Sequence, residues 1–127
     1  MPLQTVHTDN APAAIGPYSQ AVIAGDFVFV SGQLGLNPAT GDLVGQSLES
    51  QARQALENIK QVLAAAGSSL GQVVAVEVFL TDMRQFIAFN AIYSEYFSAH
   101  KPARAAVEVS ALPKGGCVEI KCTAQVG

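Results

Sequence analysis

The spacing of hydrophobic residues predicts one long helix near the middle of the chain. Apolar side chains recur at helical intervals from Leu48 to Ala66, with polar residues between them. Ser47 stands directly before this pattern as a candidate N-cap, and Gly67 stands directly after it. The segment is therefore expected to be an amphipathic helix with one face in the core.

A second helical pattern begins after Asp82, which is expected to cap it, with Gln85 at the capping-box position. Lys101-Pro102 is expected to end this helix, because proline disfavours helical geometry in the residue before it. One stripe of the helix is aromatic except for a single amide and comprises Phe86, Phe89, Asn90, Tyr93 and Phe97.

Alternating and β-branched runs predict strands around these helices. They cover residues 3–7, 21–24, 27–31 and 72–80, and two more lie in the last quarter of the chain. Gly25-Asp26 is a tight hairpin signal between the second and third strands. The order β-β-β-α-β-α-β-β predicts one α+β domain over residues 1–127, with a mixed sheet and two helices on one of its faces.

Scarcity of charge suggests that part of the surface is covered. Charged residues are only 13% of the chain, against about 25% in an average soluble domain, and hydrophobic residues are 50%. An alanine-rich monomer could have this composition, but a homo-oligomer accounts for it better.

The charge pattern and the cysteines argue against several classes of protein. The formal net charge is −3 and no basic run occurs, which argues against nucleic-acid binding. Apolar runs are too short to span a membrane, and the N-terminus lacks the pattern of a secretory signal. Cys117 and Cys122 have neither disulfide nor metal-site spacing, and His7 and His100 are isolated. We therefore expect a cytoplasmic protein with no metal site.

The last quarter of the chain carries the best candidates for chemistry. Strand alternation predicts that Arg104 and Glu119 lie on one face of the sheet. An arginine fork and a carboxylate there could hold a small carboxylic acid and activate water beside it. Two structural alternatives remain open: Arg104 could form an ion pair with Glu108, and Glu119 could pair with Lys121 or be solvated.

Four further residues are weaker candidates for the same site. Tyr18 follows Gly16-Pro17 in a turn, and Gly32 stands at the predicted end of a strand, where its backbone N–H could approach a ligand. Asn90 interrupts the aromatic stripe of the second helix and needs a hydrogen-bond partner, and Phe89 beside it could line the pocket.

The sequences of these segments resemble the Rid family, the reactive intermediate deaminases of the YjgF type, and in particular its RidA-like subgroup. The resemblance covers nearly the whole chain in the right order. It rests on Asn-Ala-Pro-Ala-Ala-Ile-Gly-Pro-Tyr-Ser-Gln from Asn10, Ser-Gly-Gln from Ser31, Gln-Ala-Arg-Gln-Ala-Leu-Glu-Asn from Gln51, Thr-Asp-Met from Thr81, Asn90, Pro-Ala-Arg from Pro102, Ala-Leu-Pro-Lys-Gly from Ala111 and Val-Glu-Ile from Val118.

The resemblance implies a chorismate-mutase-like fold, assembled as a homotrimer around a central barrel with sites in clefts between subunits. It implies a deaminase without a cofactor that hydrolyses 2-iminobutanoate, 2-iminopropanoate and their enamine tautomers, such as 2-aminoacrylate, to 2-oxo acids and ammonia. Arg104 would bind the substrate carboxylate with help from the Gly32 N–H, and Glu119 would guide the water. Tyr18, Phe89 and Asn90 would line the site.

One departure and two rival functions remain. Some Rid deaminases carry a cysteine two residues after the arginine, where this chain has Ala106, which puts the substrate range in doubt but needs no change in mechanism. The rivals are a non-catalytic regulatory protein that binds small molecules in the same cleft, and an RNA-cleaving translation inhibitor.

Overall fold

A computed structural model describes residues 2–127 and contains the predicted order of elements. The strands are β1 (Gln4–Val6), β2 (Ala21–Ala24), β3 (Phe27–Leu34), β4 (Val73–Leu80), β5 (Ala103–Glu108) and β6 (Val118–Gln125). The helices are α1 (Leu48–Ala65) and α2 (Phe86–Tyr96). The expected α+β arrangement of a mixed sheet with two helices is confirmed.

The six strands form one sheet in the order β1-β2-β3-β6-β4-β5. All neighbouring strands are antiparallel except β4 and β5, which are parallel. A parallel pair needs a crossover connection, and α2 provides it. The last strand, β6, thus lies inside the sheet, whereas β5 forms an edge.

Helix α1 follows the predicted boundaries. The Ser47 hydroxyl accepts a hydrogen bond from the Ser50 N–H at 3.1 Å, and Gly67 follows the helix with φ of 79°. Its apolar face packs on β3 and β6, where Leu56, Ile59 and other side chains are almost completely buried. Each such side chain contributes roughly 1.5–3 kcal/mol relative to an exposed one, so packing rather than propensity holds the helix.

Helix α2 differs from the prediction at both ends. The Asp82 side chain accepts from the Arg84 N–H at 3.0 Å and caps a short 3₁₀ turn, Met83–Gln85, rather than the α-helix. Gln85 makes no capping hydrogen bond. The helix stops at Tyr96, well before Pro102, because Phe97 leaves helical geometry and is buried in the core.

Side chains of both helices join one core with the same face of the sheet. The other face has no helix on it among residues 2–127. Large apolar side chains remain exposed there: Phe27 at 40%, Phe29 at 48% and Val107 at 46%. Exposed apolar area of this kind is typical of an interface. No helix in the described part of the chain is long and apolar enough to cross a membrane.

The register of the sheet contradicts the predicted placement of Arg104 and Glu119 on one face. Arg104 pairs with Val76, which pairs with Cys122, and both partners are buried beneath the helices. Glu119 pairs with Phe79, which belongs to the opposite, open face. Alternation correctly separates the residues of each strand into two sets, one for each face. Which set lies on which face of the sheet depends on the register between strands, because a shift of one residue exchanges the two sets. The sequence did not reveal this register.

Candidate active site

Glu119 lies on the open face of β6 and forms one wall of a cleft. Its side chain is half-buried, and this burial raises the pKa of the Glu119 carboxyl. Among residues 2–127 it has no ion-pair partner: Lys121, the predicted alternative, lies 4.0 Å from Glu77 instead. A partly desolvated carboxylate that forms no ion pair accepts a proton more readily than a solvated one.

Gly32 lies directly against this carboxylate. Strand β3 does not end here as predicted but continues to Leu34, with an irregular register between Val30 and Gln33. A Cβ atom at position 32 would stand 2.8 Å from Glu119 Oε2 and 2.9 Å from its Cδ. Only glycine therefore leaves room for the Glu119 side chain in its observed position.

The cleft has a volume of about 860 Å³, within the range of small-molecule sites. Tyr18, which is 55% exposed, lines it together with Gly32 and Glu119. Further lining comes from the segments around Ile15, Leu36, Thr40 and Lys114 and from Lys121.

Buried polar contacts hold the Tyr18 segment in place. The Gln20 amide N–H₂ donates to the Pro12 carbonyl at 2.8 Å, and its oxygen accepts from the Thr8 N–H at 2.7 Å. The Ser31 hydroxyl donates to the Ser19 carbonyl at 2.6 Å. Because Gln20 is 2% exposed, its hydrogen bonds are shielded from water and hold the loop in a fixed position.

Arg104 lies on the opposite face of the sheet, at its β5 edge. Its guanidinium donates from Nη1 to Asn90 Oδ1 at 2.8 Å, and its Cζ stands 4.6 Å from the ring centroid of Tyr93 and 5.5 Å from that of Phe86. No carboxylate of residues 2–127 forms an ion pair with it. The alternative of a pair with Glu108 is wrong, because that carboxylate accepts from the Met83 N–H at 2.7 Å.

The stack beneath Arg104 corrects the roles assigned to the aromatic stripe. Phe89, expected to line the site, is fully buried in the core and packs against Tyr93. Phe86 and Tyr93 instead support the guanidinium, while Asn90 fixes its orientation. The i, i+4, i+7 spacing of these three residues was a signal for a shared helical surface, but it did not distinguish a core face from a support for an arginine.

The candidate residues thus form two groups. Tyr18, Gly32 and Glu119 surround the cleft on the open face, whereas Arg104 and Asn90 lie together on the helix side. Along β4 their strand positions are three residues apart, about 10 Å at the usual rise per residue. One chain therefore cannot bring Arg104 and Glu119 to the same small ligand.

Comparison with known proteins places the chain in a family. The family model described as endoribonuclease L-PSP matches residues 8–126. The chain belongs to the Rid family, also named after YjgF, L-PSP and RutC.

Individual relatives agree over almost the whole chain. The 2-iminobutanoate/2-iminopropanoate deaminase of Capra hircus is 50% identical over 122 residues, which are 96% of this chain and 89% of that protein. The crystal structure of RidA from the Antarctic bacterium Psychrobacter sp. superposes with a TM-score of 0.93 at 50% identity and covers 97% of this chain and 99% of that one. TdcF of E. coli, solved with bound serine, has a TM-score of 0.92 at 39% identity, covering 98% and 99%.

Proposed function

We propose that this protein is an imine deaminase that hydrolyses 2-iminobutanoate and 2-iminopropanoate, in equilibrium with their enamine tautomers, to 2-oxo acids and ammonia. Relatives about 50% identical over nearly the full chain carry this activity in their names. The observation that carries the proposal is the Glu119 carboxylate, which is half-buried, forms no ion pair among residues 2–127 and lies against Gly32 in the wall of a small-molecule cleft.

The reaction needs only side chains and water. Glu119 takes a proton from water as the oxygen attacks the imine carbon, and the C=N bond becomes a C–N single bond. The carboxyl then returns this proton to the nitrogen, which gives a tetrahedral carbinolamine. In the second half, Glu119 moves the remaining hydroxyl proton to the amino nitrogen as the C–N bond breaks, so that the carbonyl and ammonia are formed. Burial favours this cycle, because it raises the pKa of Glu119 and brings the carboxyl closer to the working pH.

Beside Glu119, residues 2–127 of one chain offer only Lys114 and Lys121 as cations, because Arg104 lies on the opposite face of the sheet. The substrate carboxylate is better held by the planar fork of an arginine. We propose that Arg104 of the partner subunit provides it, in a homotrimer whose clefts lie between chains and whose sheets surround a central barrel. Three features support this assembly: the two groups occupy opposite faces, the guanidinium has no acidic partner among residues 2–127, and the open face exposes apolar side chains. Asn90 and the aromatic rings would hold the fork ready for two parallel hydrogen bonds.

The decisive experiment combines two inactive variants. Arg104→Ala and Glu119→Gln are purified separately, mixed in equal amounts, unfolded and refolded together, and assayed for ammonia release from imines that an amino-acid oxidase generates in the cuvette. If each site takes Arg104 from one chain and Glu119 from the next, random assembly restores both residues in roughly a quarter of the sites. Each variant refolded alone is the control and stays inactive.

A mixture as inactive as its components would refute the shared site. Parent protein that releases no ammonia above the uncatalysed rate would refute the deaminase, and a stable monomer in sedimentation would refute the assembly. The same parent preparation is tested for ligand binding without turnover, as a regulatory protein would show, and for RNA cleavage. The net charge of −3 and the absence of a basic run leave the RNA activity without electrostatic support.

A further inference from the structure

The outer wall of the cleft consists of two separate segments. One is the turn 37–42, and the other is the 3₁₀ turn Pro113–Gly115, which leads into β6. Among residues 2–127 a single hydrogen bond joins them: Lys114 Nζ donates to the Gly41 carbonyl at 2.9 Å. This bond, made by an exposed lysine, is thus the direct polar contact between the two segments of the wall.

Lys114 adopts a conformation that a residue with a Cβ rarely takes. Its φ is 60°, and it is the sole non-glycine residue with positive φ in the described chain. The neighbouring Gly115 has φ of 72°, so the turn takes the left-handed conformation at two successive positions. Backbone strain of this kind persists where the surrounding structure demands it and occurs often at functional sites. Here the left-handed conformation is accompanied by a side chain that reaches Gly41.

Other hydrogen bonds hold each of the two segments that the Lys114–Gly41 bond, called the bridge below, joins. In the turn 37–42 the Gly41 N–H donates to the Asn37 carbonyl at 2.8 Å, and the Asn37 N–H donates to the Asp42 carbonyl at 2.8 Å. Beyond the other turn, the Cys117 N–H donates to the buried Gln51 Oε1 at 2.8 Å. Loss of the lysine contact would therefore free the tips of the two segments without unfolding either one.

We infer that Lys114 is a specificity-determining residue, which limits the size of the substrate side chain by closing the wall of the cleft against Gly41. The inference rests on the proposed deaminase function and names the feature that selects among its substrates. A substrate whose imine carbon is held at Glu119 shares the cleft with this wall. On this inference, short side chains such as that of 2-iminopropanoate leave the bridge intact, whereas branched or aromatic ones compete with it for the space at this wall.

The test uses two replacements of Lys114 and one matched control. Lys114→Asn tolerates the left-handed conformation but is too short to reach Gly41, so the turn survives and the bridge does not. Lys114→Arg keeps a long donor and can restore the bridge. Lys101→Asn makes the same change at an exposed loop lysine that does not line the cleft. Each protein is assayed for kcat/KM with the imines of alanine and of phenylalanine.

The ratio of kcat/KM for the large imine to that for the small one is expected to rise in Lys114→Asn by about threefold to tenfold, the factor of one net hydrogen bond. Lys114→Arg and Lys101→Asn should keep the parental ratio. Amide hydrogen exchange in the turn 37–42 should also accelerate in Lys114→Asn alone, which reports the bridge without any substrate.

An unchanged ratio, or equal losses for both imines, would overturn the assignment, since a merely structural lysine affects all substrates alike. Unchanged exchange in the turn 37–42 would also overturn it. If the parent deaminates neither imine, the proposed function fails and the inference falls with it. Parental activity with an unchanged ratio refutes the inference alone.

Discussion

Gly32→Ala tests most directly whether the position of the Glu119 carboxylate matters for turnover. The added Cβ would lie 2.8 Å from Oε2, 2.9 Å from Cδ and 3.2 Å from Cγ of that side chain. Ordinary van der Waals contact begins near 3.4 Å, so the carboxylate must move by at least about 0.6 Å. The atoms that must move belong to a flexible side chain rather than to the backbone.

The fold should tolerate this change. The φ of Gly32 is not in the left-handed region, so alanine can adopt it. The alanine also removes the entropic disadvantage of glycine in a strand, roughly 0.5–1 kcal/mol, which offsets part of the steric cost. We expect the free energy of unfolding to change by less than about 1 kcal/mol.

Turnover should respond far more than stability. Displacement of a catalytic group by 1 Å can reduce the rate about 10²-fold, and we expect kcat for 2-iminopropanoate to fall by at least about tenfold. The Gly32 N–H is retained, so binding of a 2-oxo acid should change less than kcat. Ammonia release, ligand titration and chemical denaturation measure the three quantities.

Gly71→Ala is the matched control. The nearest atom to a Cβ there is Ser69 Oγ at 3.9 Å, and its φ is not positive, so activity and stability should both stay close to the parent. If Gly32→Ala retains parental kcat and folds normally, the exact position of Glu119 is unimportant, and its assignment as the base would have to be withdrawn.

Further expected outcomes concern the charged groups, the core and the assembly. Glu119→Gln should lower kcat by about 10²–10⁴-fold and remove the acidic limb of the pH–rate profile, with little effect on 2-oxo-acid binding; unchanged turnover would contradict the mechanism. Because burial raises the pKa of Glu119 in the folded state, the native protein binds this proton more tightly than the unfolded chain, so this group's contribution to stability is lost as pH rises through the folded pKa. Thermal melts from pH 4 to 7 should therefore fall less with pH in Glu119→Gln than in the parent. Arg104→Lys keeps the charge but loses the planar fork, and kcat/KM should drop at least about tenfold while the proposed trimer stays assembled; dissociation with activity retained would make Arg104 a structural residue. Asn58→Leu should reduce the free energy of unfolding by about 2 kcal/mol or more, since this fully buried amide donates to the Leu34 and Leu36 carbonyls; a denaturation midpoint equal to the parent's would contradict that role.

The sequence by itself determined the elements and their order. The apolar periodicity and the Ser47 and Gly67 signals located α1 to within a residue, and Gly25-Asp26 marked the hairpin between β2 and β3. These features are local: a cap, a turn or a helical face depends on residues within a few positions of one another. The end of α2 was missed because burial of Phe97, a tertiary effect, overrode the local helical preference.

Only part of the candidate site could be predicted from the sequence. Tyr18, Gly32 and Glu119 were candidates from the sequence, and all three line the same cleft. The support of Arg104 by Phe86 and Tyr93 and the bridge from Lys114 to Gly41 became visible only in three dimensions. Each contact joins residues from separate elements, and neither contact produces a periodic pattern in the sequence.

Only the tertiary structure decided on which face of the sheet Arg104 and Glu119 each lie. Alternation within β5 and within β6 was read correctly, but the two strands do not pair with each other, and β4 lies between them. Their relative register is set through β4, by packing of Val76 and Cys122 beneath the helices. A shift of one residue moves a side chain to the other face at no cost in local pattern, so long-range packing had to make the choice.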